Sequence, residues 1–304
     1  MSKFFKLLRI ALWRAFVHDQ FAVAKGAAYS SILTLFPAVA LVASILTLSH
    51  STEAAVREVA LSIGRILPEG TRSSVMHFFQ GSNPAPVRTI ITTFILTMWT
   101  GSGAMISWID GFHRAYQLPK SWGMWTERWL SFLMVVMAGA PMAFASFILA
   151  FGSQIEHWLV YHGGHDLGPY ILGIGTVARW LIAALTSVAV IALLYHHGLP
   201  RTQAWHRVLP GAALATALWF PATIIFGYYL RYFANYTVIY GSVGTAVALL
   251  IWLYLVSLVV LVGAEYNALR APRYLFGTFS ELKRDEPVPA ASAARRKKWD
   301  GTRG

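Results

Sequence analysis

The residues of this sequence with the strongest claim to chemistry are few and scattered. The densest group is HWLVYHGGHD, which holds His157, His162, His165 and Asp166. Imidazole and carboxylate groups ligate zinc and copper, so one reading is a metal site. The other is a polar loop in which Gly163 and Gly164 make a turn, and it is favoured because the spacing follows no regular ligand pattern. Cysteine is absent, which removes disulfides, thiolate zinc sites, iron–sulfur clusters and cysteine nucleophiles together. Metal-dependent cleavage of a phosphodiester needs clustered carboxylates or histidines that hold ions about 4 Å apart. The thirteen acidic residues are instead dispersed singly. No nucleophile stands at a readable spacing from a base. The expectation is a chain without a catalytic constellation and without a cofactor.

A second kind of candidate is a charge inside an apolar run, because an ionised side chain in hydrocarbon costs about 3 kcal/mol or more. Arg179, Glu265 and Asp110 qualify. Glu265 stands in GAEYNAL beside the small Gly263 and Ala264. It either pairs with Lys25 or a loop cation, or relays protons or cations. Asp110 and the following His113, Arg114 and Tyr116 are placed at headgroup level. Arg179 is expected to aim its guanidinium into the helix bundle, because exposing a permanent charge to lipid is costly. Near the last apolar run, Arg231 and Tyr240 flank the small residues of YGSVGTA. That stretch reads either as a packing surface or as an anion-binding mouth at a helix N-terminus. Pro37, Pro141 and Pro221 lie inside apolar runs, where each removes a backbone donor and predicts a kink.

The elements that position these residues follow from composition. Of 304 residues, 56% are hydrophobic and only 12% charged, more apolar than a water-soluble domain can hide. Trp125, Trp129, Trp158, Tyr161, Tyr228, Tyr229 and Tyr232 sit at the ends of apolar runs, where amphipathic rings settle at a bilayer interface. Six stretches have the twenty or so apolar residues that a span requires: Ala27 to Ser49, Thr89 to Ile109, Leu130 to Phe151, Gly173 to Tyr195, Val208 to Leu230 and Val243 to Leu269. The predicted fold is therefore all-α and polytopic.

Charge sets the expected orientation. The N-terminal segment holds Lys3, Lys6, Arg9, Arg14 and Lys25, and the tail holds Arg270, Arg273, Lys283, Arg284, Arg295, Arg296, Lys297, Lys298 and Arg303. The loop after the third span has Glu156 and Asp166 but no Lys or Arg. An even number of spans with basic ends places both termini in the cytoplasm. The net charge of +12 is then a topology signal, with no nucleic-acid partner expected. Residues 1–26 read as an amphipathic interfacial helix whose face of Leu7, Leu8, Ala11, Leu12 and Ala15 lies along the inner leaflet. The loop from His50 to Arg88 reads as an outer helical hairpin, and residues 271–304 as a disordered basic tail.

Two blocks are distinctive in combination: AKGAAYSSILTLFPAVALVASIL in the first span, and PGAALATALWF with YGSVGTAVALLIWLYLVSLVVLVGAEYNAL. Over about Phe16 to Arg270 the chain resembles the YihY/BrkB family of bacterial inner-membrane proteins. The resemblance implies six helices and a cytoplasmic-membrane location. Labels within that family range from ribonuclease BN to virulence or serum-resistance factor, and the residues here do not support a ribonuclease. The leading expectation is transport or translocation of an amphipathic or anionic, lipid-like molecule through a pocket in the bundle. The alternative is a non-catalytic envelope scaffold that recruits partners through its basic tail and outer hairpin. The lipid bilayer is the expected environment, with a lipid or small anion as ligand.

Overall fold

A computed structural model of the protein describes residues 2–46, 87–119, 122–163, 168–200, 203–232 and 242–271. Among these residues the chain is all helical, with α1 (Ser2–Val17), α2 (Gln20–Leu46), α3 (Val87–Ala115), α4 (Met124–Gly163), α5 (Gly168–His197), α6 (Trp205–Tyr232) and α7 (Ser242–Arg270). Six segments are long and apolar enough to span: Gln20–Val42, Val87–Ala115, Met124–Ala145, Val177–His197, Trp205–Leu230 and Ala246–Arg270. Their outward residues are apolar as well, including Ile91, Ile95, Leu185, Ile224 and Ile225. A helix that is apolar on every side belongs in lipid. The protein is a multi-pass membrane protein of six spans.

The six spans form a ring. Each of α2 to α7 packs on its neighbours in chain order, and α7 closes back onto α2 while also touching α3. Small residues permit the close approaches: a Cβ on Gly101 would meet Thr34 and Val135, and one on Gly103 would lie 3.0 Å from Ser30 Oγ. α1 lies outside the ring at one end, against α7 and α2. That end, which also carries the α3–α4 and α5–α6 connections and the last turn of α7, is called the α1 end.

Several boundaries differ from the sequence expectation. The first span begins at Gln20 because the chain turns at Asp19, whose φ of 58° is left-handed and ends α1. α3 runs on through Asp110 and Arg114 to Ala115. It ends where Gln117 takes a φ of 53° and Leu118 N donates to His113 O at 2.9 Å, a Schellman-type closure. α4 continues past Phe151 to the glycine pair at 163–164, so His157 and His162 belong to a helix and not to a loop. Pro37, Pro141, Pro210 and Pro221 all lie inside continuous helices.

The face of α1 also differs. Ala11 and Ala15 are buried, and Leu7 and Leu8 pack with Leu214, Leu218, Tyr266 and Leu269 of α6 and α7. The face assigned to the leaflet is occupied by the bundle, because small residues at i and i+4 let α1 approach closely. Leu12 turns outward with Phe5, Trp13 and Phe16. The exposed Lys6 and Arg9 share this second face. The predicted outer hairpin, the tail beyond Ala271, Tyr240, His165 and Asp166 lie outside the described residues.

Candidate functional site

At the α1 end a fully buried carboxylate gathers four elements. Glu265 is 0% exposed on α7, one turn before the helix ends. Its Oε1 accepts from His18 Nδ1 at 2.7 Å and from Gln20 Nε2 at 3.0 Å. Its Oε2 faces Arg14 Nε at 3.3 Å as an ion pair, without the alignment of a hydrogen bond. Burying an isolated carboxylate is prohibitive, so these partners are the condition for its position.

Local sequence explains how the partners arrive. Arg14 and His18 are four residues apart and continue the bundle-facing stripe of Leu7, Ala11 and Ala15. The turn at Asp19 then reverses the chain so that Gln20, at the start of α2, faces the same carboxylate. Arg14 also donates to Ala115 O at 3.0 Å, and Gln20 to Gly111 O at 2.9 Å, tying α3 into the network. Gly111 is required there, since a Cβ would run into Leu261 and lie 2.9 Å from Gln20 Oε1. The Gln117 amide nitrogen lies 3.2 Å from His18 Nε2. An amide N–H donated to Nε2 and an Nδ1–H donated to Glu265 satisfy both ring nitrogens.

A second set of contacts joins α6 and α7 alongside. Asn267 accepts from Gly211 N at 2.7 Å and donates to Val208 O at 2.9 Å, gripping the backbone on both sides of Pro210. Gly211 and Gly263 face each other so closely that a Cβ on either would meet the other's carbonyl oxygen. The Tyr195 hydroxyl donates to Val260 O. Beyond the end of α3, Tyr116 donates to Gln203 Oε1 at 3.4 Å, and burial holds its phenol well above the usual tyrosine range.

Little more than one helical turn from Glu265 along α7, the ring opens around a cavity of about 400 Å³, within the range of ligand pockets. All six spans contribute to the wall, through residues such as Thr34, Trp108, Val135, Val190, Thr216 and Val256. The wall is nearly all apolar. Its hydroxyls from Ser31, Thr34 and Ser187 donate within their own helices, to Ala27 O, Ser30 O and Ala183 O. Trp108 Nε1 and Thr216 Oγ1 are buried with no partner among the described residues.

The residues singled out in the sequence scatter over this architecture. Glu265 is the centre of the ion network. Lys25 is exposed on α2, and the side chains beside Glu265 are Arg14, His18 and Gln20 instead. Asp110 pairs with Arg114 Nε at 3.0 Å, and Arg114 reaches Asp19 at 3.3 Å, a surface chain next to the network. Arg179 is half-buried on α5 and is not in the cavity wall; neither are Pro141 and Pro221, although Met142 is. Arg231 lies in the last turn of α6. Among the described residues no three His, Asp or Glu side chains come together to hold a metal. In the sequence Arg14 reads only as flanking charge and His18 carries no assignment; their i, i+4 spacing on the small-residue stripe is the available signal. Gln20, Asn267, Trp108 and Thr216 carry no signal in isolation.

The family profile described as "Virulence factor BrkB" matches residues 12–287. The chain belongs to the BrkB family. Among relatives of this BrkB-family protein, the putative ribonuclease-like protein YfkH of Bacillus subtilis (strain 168) is 26% identical over 257 residues, covering 83% of this chain and 90% of that protein. A UPF0761 membrane protein of Tolumonas auensis is 30% identical over 258 residues, covering 84% and 82%. Another, from Chlorobium phaeobacteroides (strain DSM 266), is 25% identical over 263 residues but only 55% of its own length is covered. No solved structure matches. The two stretches of the second sequence block that carries the likeness meet in space at the Gly211–Gly263 contact and at Asn267.

Proposed function

We propose that this BrkB-family membrane protein, with both termini in the cytoplasm of a bacterial cell, takes the apolar part of a lipid-like amphiphile into the cavity at the centre of its ring. The observation that carries this reading is the cavity wall. All six spans build it and it is almost wholly apolar. An apolar space of that size accepts a hydrocarbon body and offers no partner to a charged group. The ion network holds the α1 end closed, so entry is from the membrane or from the far end. No catalytic step is assigned to the chain, and the printed name of the Bacillus relative is not carried over to it.

The test is reconstitution in liposomes with a fluorescent phospholipid, followed by dithionite quenching from outside. The expected result is protein-dependent exchange between leaflets that Gly139→Phe abolishes. Gly139 lines the cavity and has open space around its Cβ position, so the new ring fills the cavity without displacing a helix. Exchange at the protein-free rate, or unchanged exchange in the Gly139→Phe protein, overturns the proposal. Capture of protein partners in the absence of exchange supports the scaffold alternative.

A further inference from the structure

Arg128 stands on α4 within the spanning segment Met124–Ala145, four residues or about 6 Å of helical rise from its start. Its guanidinium carbon lies 4.2 Å from the centre of the Trp99 ring on α3 and 5.5 Å from that of Phe132. Trp129 meets Phe132 edge-on at 5.9 Å. Trp99 and Trp129 are both largely exposed on the outside of the ring. The cation is therefore held in an aromatic bracket on the lipid-facing side.

Among the described residues Arg128 makes no ion pair and no side-chain hydrogen bond. The adjacent carboxylate, Glu127, lies about 100° round the helix and forms no ion pair with it. Two other cations near this end are answered, Arg14 by Glu265 and Arg114 by Asp110 and Asp19. A stacked guanidinium keeps its edge free, and that edge matches two phosphate oxygens. Trp125 and Trp129, exposed in the first turns of α4, mark the border of headgroups and hydrocarbon on this helix, which is where a lipid presents its phosphate.

We propose that Arg128, bracketed by Trp99 and Phe132, binds the phosphate of an anionic phospholipid at the outside of the α3–α4 pair. The zwitterionic headgroup of phosphatidylcholine places its own cation beside the phosphate and competes with Arg128, so an anionic lipid is selected. This site goes beyond the cavity and does not depend on what the cavity holds.

Native mass spectrometry of the full-length protein tests it, after delipidation in detergent and titration with dioleoyl phosphatidylglycerol or dioleoyl phosphatidylcholine. One phosphatidylglycerol is expected to bind at least about tenfold more tightly than phosphatidylcholine. Arg128→Gln should abolish that preference. Arg128→Lys and Trp99→Leu should each weaken it severalfold, because a point charge cannot stack and a bare guanidinium loses its bracket. All three changes are at the lipid face, so unchanged elution and helix content are expected, and the Gly139→Phe protein should retain the lipid in full. Equal retention of both lipids, or full retention by Arg128→Gln, overturns the proposal. So does displacement by millimolar inorganic phosphate, which would identify a site for a free anion.

Discussion

The ion network and the cavity share α2, α3 and α7 and lie little more than one turn apart, yet their polar side chains behave in opposite ways. At the α1 end, Arg14, His18, Gln20, Glu265 and Asn267 each reach across to another helix. In the cavity wall, Ser31, Thr34 and Ser187 donate back into their own helix, and Trp108 Nε1 and Thr216 Oγ1 have no partner among the described residues. Interhelical hydrogen bonds fix helices relative to one another, whereas intrahelical ones do not. One end of the ring is thus tied by polar contacts between helices, and the cavity wall is not.

Replacing polar by apolar side chains should have opposite consequences in the two regions. The largest effect is expected for Glu265→Leu, which leaves the Arg14 guanidinium without its counter-charge and His18 and Gln20 without the acceptor they share. A loss of about 3–5 kcal/mol is expected, read from thermal or denaturant unfolding in detergent. The double variant Arg14→Met with Glu265→Leu should recover part of it, and a double variant no better than the single one would show that the network does not act as a unit.

Asn267→Leu follows, since it strands the Gly211 N–H and the Val208 carbonyl at a contact with no room for water. About 2–4 kcal/mol is expected from two unsatisfied backbone groups. Thr216→Val runs the other way: removing an unpartnered buried hydroxyl should stabilise the protein by about 1 kcal/mol. A destabilised Thr216→Val protein would break the contrast between the regions.

The smallest effect is that of Tyr116→Phe, about 0.5–1 kcal/mol near neutral pH for one long hydrogen bond. Its pH dependence is more informative. Because burial raises the folded-state pKa, folded and unfolded chains bind the same proton below about pH 10. Above that the unfolded phenol ionises first and stability falls as pH rises. Tyr116→Phe should remove that alkaline loss, which unfolding curves at pH 8 and pH 11 will measure.

Much of the fold was legible because the bilayer imposes a simple rule. A span must be long, apolar and helical wherever it lies, so α2 to α7 could be read from runs of residues. The ends of α3 and α4 were misplaced because Asp110, His113, Arg114 and the stretch up to Gly163 are polar enough to suggest loops. α3 in fact continues until the left-handed Gln117 closes it, and α4 continues to Gly163. The blocks behind the family resemblance were visible as strings of small residues. That they pack against each other was not.

What the sequence determined by itself is an all-helical membrane protein with six spans, a basic N-terminal helix, no thiol chemistry and a buried carboxylate in need of a partner. Only the tertiary structure decided which cations answer Glu265, which face of α1 meets the bundle, and that six apolar helices close round an open space. Hydrophobic periodicity tells how often a residue faces inward. It does not carry the direction of a ring, because every helix in lipid is apolar on both sides and its neighbours are chosen by shape and by a few buried polar contacts.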